Sequence, residues 1–161
     1  MEFFSKLFHD LDSTTKTNIR LDFLVDYLTT ADPKDAIWVC WFLNGKRIKG
    51  AIKSSELKEL ASDYSGFPLW LVEECHDNVG DLAETISLLV GDAVVPSNVI
   101  GLNSIVDRYI RSLVGMSLDE KRDRLREAWK TFRSEDSLPF HKLLTGGFRM
   151  GISSGNLYKA L

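Results

Sequence analysis

The sequence predicts an all-α protein, a single compact domain of about nine or ten short helices. Three observations predict it. Helix start and stop residues recur along the chain, apolar residues repeat at spacings of three and four, and no convincing stretch alternates as a strand would. At 161 residues the chain fits one domain that can bury roughly 70% of the surface its unfolded form exposes, so no disulfide or metal staple is required.

Taken in order, "TNIRLDFLVDYL" (residues 17–28) carries Ile19, Leu24, Tyr27 and Leu28 on one face, with Ser13 or Thr14 as its expected N-cap. "ADPKDAIWVCWFLNG" has Asp32 as N-cap, Pro33 at the first helical position and Gly45 just past the end. "SSELKELASDYSG" starts on Ser54 and stops at Gly66, and "PLWLVEECHDNVG" opens on Pro68 and ends at Gly80. Asp81 and Glu84 have capping-box spacing ahead of "LAETISLLVG". Strand-like residues in "DAVVPSNVIG" are interrupted by Pro96, so residues 92–101 are read as the longest loop. Ser117 and Glu120 repeat the capping signature before a helix whose Leu118, Leu125, Ala128, Trp129 and Phe132 form one stripe. The last clear helix, "PFHKLLT", ends at Gly146 and Gly147.

Charge is divided unevenly. From Glu59 to Asp107 there is no Lys or Arg among nine acids, so a net charge of −3 conceals a remainder at +6. "GKRIKGAIK" (residues 45–53) has four cations and no acid, and no acid occurs from Ser137 onward. These stretches are candidates for a basic face. No apolar run is long enough to span a bilayer, and "MEFFSKLFHDLD" lacks the features of a signal peptide. Cys40 and Cys75 lie in apolar surroundings, which points to core packing in a reducing cytosol.

Searches for catalytic motifs fail. There is no Gly-x-x-x-x-Gly-Lys, no Gly-x-Gly-x-x-Gly and no His-Glu-x-x-His. Cys75 and His76 adjoin, yet no second ligand stands at zinc spacing. Glu73, Asp77, Asp81 and Glu84 step by three or four, but Gly80 breaks that face, so they read as solvated or capping acids. "TGGFRMGISS" (residues 145–154) is different: three glycines, one arginine and two serines, with no carboxylate, suit a loop that presents backbone N–H groups to an anion. The Gly80–Asp81 turn and the donors Thr15, Lys16, Thr17, Asn18 and Arg20 at a helix start suit the same chemistry.

Together "LDSTTKTNIRLDFLVDYL", "WFLNGKRIK", "LWLVEECHDNVGDLAETISLL" and "FHKLLTGGFRMGISSGNLYKAL" resemble the amino-terminal DNA-binding domain of ATP-dependent DNA ligases, closest to bacterial enzymes with the multidomain plan of the archaeal and eukaryotic replicative ligases. "VGDLAET" and "LLTGGFRMGIS" are the specific parts, and the resemblance spans residues 1–161. It implies an all-helical domain that grips duplex DNA, preferably nicked, from the minor-groove side through its backbone. The implied contacts are Thr15, Asn18 and Arg20, then Lys46, Arg47 and Lys49, then Gly80 and Asp81, with Asp81 as organiser and not ligand. Gly146, Gly147, Arg149, Gly151 and Ser153 complete the set. Ser154, Gly155 and Asn156 depart from the family's bulkier polar or basic residues.

The resemblance also implies partners: the nucleotidyltransferase and OB-fold domains of a parent ligase, which would use ATP and Mg²⁺ in the bacterial cytosol or nucleoid. No lysine here begins a Lys-x-Asp-Gly adenylation motif, so the chain is expected to be a non-catalytic domain excised from that parent, without cofactor or metal of its own. The competing expectation is a helical protein-interaction module in which Trp38, Trp41, Phe67 and Trp70 form a docking patch; core burial is the ordinary fate of such aromatics. A helix-turn-helix regulator is disfavoured because no helix is rich in base-reading Arg, Asn and Gln.

Overall fold

Helix boundaries in the computed structural model, which describes residues 1–91, 100–148 and 150–160, fall largely where capping chemistry sets them. The helices are α1 (Glu2–Asp12), α2 (Thr17–Thr30), α3 (Pro33–Leu43), α4 (Ser54–Ser65) and α5 (Leu69–Val79). They continue with α6 (Leu82–Val90), α7 (Leu102–Ile105), α8 (Leu118–Thr131), α9 (Ser134–Thr145) and α10 (Ser154–Ala160). A π-turn (Val106–Ile110) and a 3₁₀ turn (Arg111–Leu113) extend α7. Among the described residues there is no strand. Most of the loop expected at residues 92–101 lies outside them.

Caps explain most of these limits. Asp32 accepts the Lys34 N–H at 2.9 Å and Pro33 opens α3. Ser117 and Glu120 close a reciprocal capping box on α8. At α6 only half of the expected box forms: Asp81 accepts the Glu84 N–H at 3.1 Å, with no bond in return. α4 starts on Ser54 as its sequence reads, with Lys53 in the N-cap position donating its N–H to Glu56 at 3.0 Å. One expected cap is displaced. α2 begins after Lys16, which has no side-chain cap, because Thr14 spends its hydroxyl on the Lys16 N–H and Ser13 bonds back to Asp10.

α1 carries no capping signature but buries Phe4, Leu7, Phe8 and Leu11. It also rescues α9. Pro139 stands inside α9 without an N–H to give to the Glu135 carbonyl, and His9 Nε2 donates to that carbonyl instead, at 3.0 Å. Ser5 of α1 donates to the buried Asp136 at 2.5 Å, which fixes the pair. A comparable long-range cap joins α3 to α7, where Asp35 accepts the N–H groups of Leu102 and Asn103 at 2.9 and 2.7 Å.

The core runs from α1 through α6 to α8 and α9. The α8 stripe is buried at Leu125, Ala128, Trp129 and Phe132, as its spacing predicts, while Leu118 at its start is only partly buried. Burial holds His141 neutral, with a pKa lowered to about 4. Its Nε2 accepts the Trp129 indole N–H at 2.9 Å and its Nδ1 lies 2.8 Å from the Ser137 carbonyl. Not every expected core residue is inside. Phe67 and Trp70 are 45% and 66% exposed at the α4–α5 turn, since Pro68 starts α5 with that turn facing outward. Trp38 and Trp41 are only partly buried, and Ile19 is exposed on α2.

Candidate nucleic-acid interface

Four segments that are far apart in sequence meet at one end of the helical core: the α1–α2 turn, the α3–α4 loop, the α5–α6 turn and the α9–α10 connection. Phe148 and Met150, both buried, anchor the last of these. The Phe148 ring lies 5.3 Å from Phe4, 6.0 Å from Phe8 and 6.5 Å from Phe42. The glycines on either side are therefore held against the protein as a fixed surface.

Three contacts bind the segments together. At Gly146, in the left-handed region at φ +77°, an added Cβ would come 2.8 Å from Arg47 Cδ, so the arginine stem lies across the glycine. At Gly151, at φ +65°, an added Cβ would come 2.5 Å from Arg20 Nη1. Lys142 on α9 forms an ion pair with Asp81, the N-cap of α6. Burial would raise the Asp81 pKa, but the hydrogen bonds from Lys142 and the Glu84 N–H outweigh it and hold the carboxyl below its ordinary value. Asp81 is thereby committed to Lys142 and its own helix start.

Three cations of the α3–α4 loop are unpaired, whereas several elsewhere hold carboxylate partners. Lys46, Arg47 and Lys49 are exposed and have no carboxylate partner among the described residues. By contrast Arg108 pairs with Glu127, Arg111 with Asp107, Lys121 with Glu56, and Arg133 with Asp136. A cleft of about 220 Å³ opens between the α3–α4 loop and the end of α9, with Arg47, Lys49, Lys53, Ser54 and Thr145 among its walls and no carboxylate among the described residues. Its charge and hydroxyl donors suit an anion.

Each sequence-derived candidate except Arg149 has a definite place. Thr15 and Asn18 are exposed beside the uncapped start of α2, where the first N–H groups have no side-chain acceptor. Arg20 is half occupied, its Nε donating to the Leu11 and Thr14 carbonyls at 3.0 and 2.6 Å. Gly80 ends α5 in the left-handed region and gives its N–H to His76 at 2.8 Å. Gly147 does not offer a bare N–H, because that group donates to the Lys142 carbonyl at 2.9 Å and completes the α9 cap. Ser153 Oγ accepts the Asn156 N–H at 3.2 Å and starts α10, while Ser154 Oγ donates to Asn44 Oδ1 at 2.8 Å. Arg149 lies outside the described residues.

Lys142, Lys53 and Thr145 also belong to this surface. A signal for Lys142 was present, since it sits in the last turn of a helix that ends in two glycines. Among the described residues no group of acids, histidines and cysteines is placed to hold a metal ion, and no helix is long and apolar enough to cross a membrane. Both cysteines are free thiols. The family model described as "DNA ligase N terminus" matches residues 1–161. Among individually curated proteins, none matches the chain.

Proposed function

The chain belongs to the DNA ligase N-terminal family, as an N-terminal domain of an ATP-dependent DNA ligase, and from that premise we propose that it grips duplex DNA around a nick. One observation carries the proposal. Arg20 on Gly151, Arg47 on Gly146 and Lys142 on Asp81 draw four segments into one surface whose Lys46, Arg47 and Lys49 remain unpaired. Such a surface recognises a regular array of phosphates. It carries little means of reading sequence, because phosphate contacts hold no base information.

The domain's work in joining is positional. Duplex held on both sides of a nick keeps the 3′-hydroxyl and the 5′-phosphate in line, which lowers the entropic cost of their meeting. Phosphates would rest against the α3–α4 loop, the start of α2 and the Gly146–Gly151 connection. Adenylation, with ATP and Mg²⁺, is assigned to a following domain of the parent, so the 161-residue chain supplied with both should leave a nick unsealed. Ligation by this chain alone would contradict that assignment.

The testing variant is Lys46→Glu with Lys49→Glu. Both side chains are exposed and unpaired, so the fold should be unchanged by circular dichroism and melting. Affinity for a nicked duplex, measured by fluorescence anisotropy at fixed salt, is expected to fall at least tenfold. Binding unaffected by the double reversal would refute the proposed face. A second reading, a protein-docking module, is favoured by the exposed Phe67 and Trp70. It requires a protein partner that survives the same charge reversal and a wild-type chain without affinity for DNA.

A further inference from the structure

The loop that carries Lys46, Arg47 and Lys49 is a ridge with a hollow on either side. One hollow is the cleft toward Thr145. The other is a groove of about 740 Å³ floored by Trp38 and Trp41 of α3 and walled by Ile37, Ile48 and Val114. Arg47 and Lys49 line both hollows.

The groove has unusual chemistry for a protein surface. Ile37 is 67% exposed and Val114 50% exposed, and neither is covered by another element among the described residues. Trp38 is fixed by its indole N–H, which donates to Asn103 Oδ1 at 3.0 Å, and Trp41 meets it edge to face with ring centroids 5.5 Å apart. No carboxylate among the described residues lines the groove. Its third cation, Arg111, is held at the rim by Asp107 at 2.7 Å. An occupant must therefore present flat apolar faces together with negative charge, and must lie next to whatever the ridge holds.

We infer that this groove takes unpaired nucleotides, a short single-stranded tail that leaves the duplex beside the ridge. Bases have apolar faces that pack on indoles and aliphatic walls, and the phosphates between them meet Arg47 and Lys49, the combination that single-strand binding surfaces use. The inference rests on the reading of the ridge as a duplex-phosphate contact, because it makes the groove continuous with that contact. It extends the domain's range from a flush nick to a joint with displaced nucleotides, which the domain would hold away from the duplex.

The experiment uses the 161-residue chain and three DNAs: a nicked duplex, the same duplex with four unpaired thymidines at the nick, and the single strand dT8. The tail is expected to raise affinity about tenfold, within the range of stacking one base on an aromatic surface. dT8 alone should quench tryptophan fluorescence. Ile37→Ser with Val114→Ser removes the apolar walls at exposed positions without altering charge. It should abolish the gain from the tail and weaken dT8, while nicked-duplex affinity stays within twofold. Trp41→Leu, checked for folding by circular dichroism, should do the same.

Equal affinity for tailed and untailed duplex overturns the inference, as does a gain that survives Ile37→Ser with Val114→Ser. Binding of an acidic, aromatic-rich peptide with no affinity for dT8 also overturns it, in favour of a protein occupant. If dT8 binds through the groove while neither duplex is held, the duplex-grip reading fails and the groove assignment stands. If the flush nick is held and the tail adds nothing, the reverse is true.

Discussion

Gly146 and Gly151 each answer two demands, a left-handed backbone and the close approach of an arginine. Gly115 separates the two demands, since at φ +82° it has nothing within 4 Å of the position its Cβ would take. Gly115→Ala should therefore cost only the backbone strain of a left-handed residue, about 1 kcal/mol. Gly146→Ala adds displacement of the Arg47 stem and Gly151→Ala displacement of the Arg20 guanidinium, so both should melt lower than Gly115→Ala and bind DNA more weakly. Thermal melts beside anisotropy titrations check this, and identical melting losses at all three positions would dissociate the glycines from the clamp. The glycines and the basic run were legible in the sequence as residue types. The partner of each was not, because Arg20 and Gly151 are joined only by the folded core.

At the scale of elements, what could be read depended on whether the signal was local. α3, α5 and α8 follow their capping residues, since Asp32, Gly80 and the Ser117–Glu120 box act within one turn of their helices. α1 and the first half of α9 could not be read so, because α1 has no side-chain cap and the carbonyl that Pro139 leaves unpartnered is met by His9 on another helix. Asp35 caps α7 across a separation of 67 residues, which no window of local sequence contains. Phe67 and Trp70 were misplaced for the opposite reason, since hydrophobicity alone does not say that a turn faces outward.

Two expected outcomes belong to this scale. Asp81→Ala removes the cap of α6 and releases Lys142, so stability should drop by about 1 kcal/mol in urea titrations, while DNA affinity is retained or increased. A tenfold loss of affinity in a folded Asp81→Ala chain would mean that the carboxylate itself serves binding. His141 ties α8 to α9 as a neutral imidazole whose pKa burial lowers from 6.5 to about 4. The unfolded chain binds a proton that the folded one refuses between those values, so the contribution is complete above pH 6.5. It declines as pH falls toward 4 and levels off below, a total on the order of 3 kcal/mol. Urea midpoints at pH 7.5 and 4.5 should show this, and His141→Gln should flatten the difference. An equal pH dependence in His141→Gln would assign the effect to other groups.

The whole molecule segregates its charge. Along the sequence no Lys or Arg occurs from Glu59 to Asp107, while in the fold the α3–α4 loop keeps unpaired cations beside the α9–α10 connection. A chain with net charge −3 can therefore bind a polyanion, because the acids elsewhere are screened beyond about 8 Å at physiological salt and the contact is local. The central claim is that this contact is made with phosphates, and counterion release measures it most directly. Affinity of the 161-residue chain for nicked duplex, titrated across salt, should fall with a slope of log affinity against log salt of about −4 to −5, as for about four to six neutralised phosphates. A slope near zero would contradict the account.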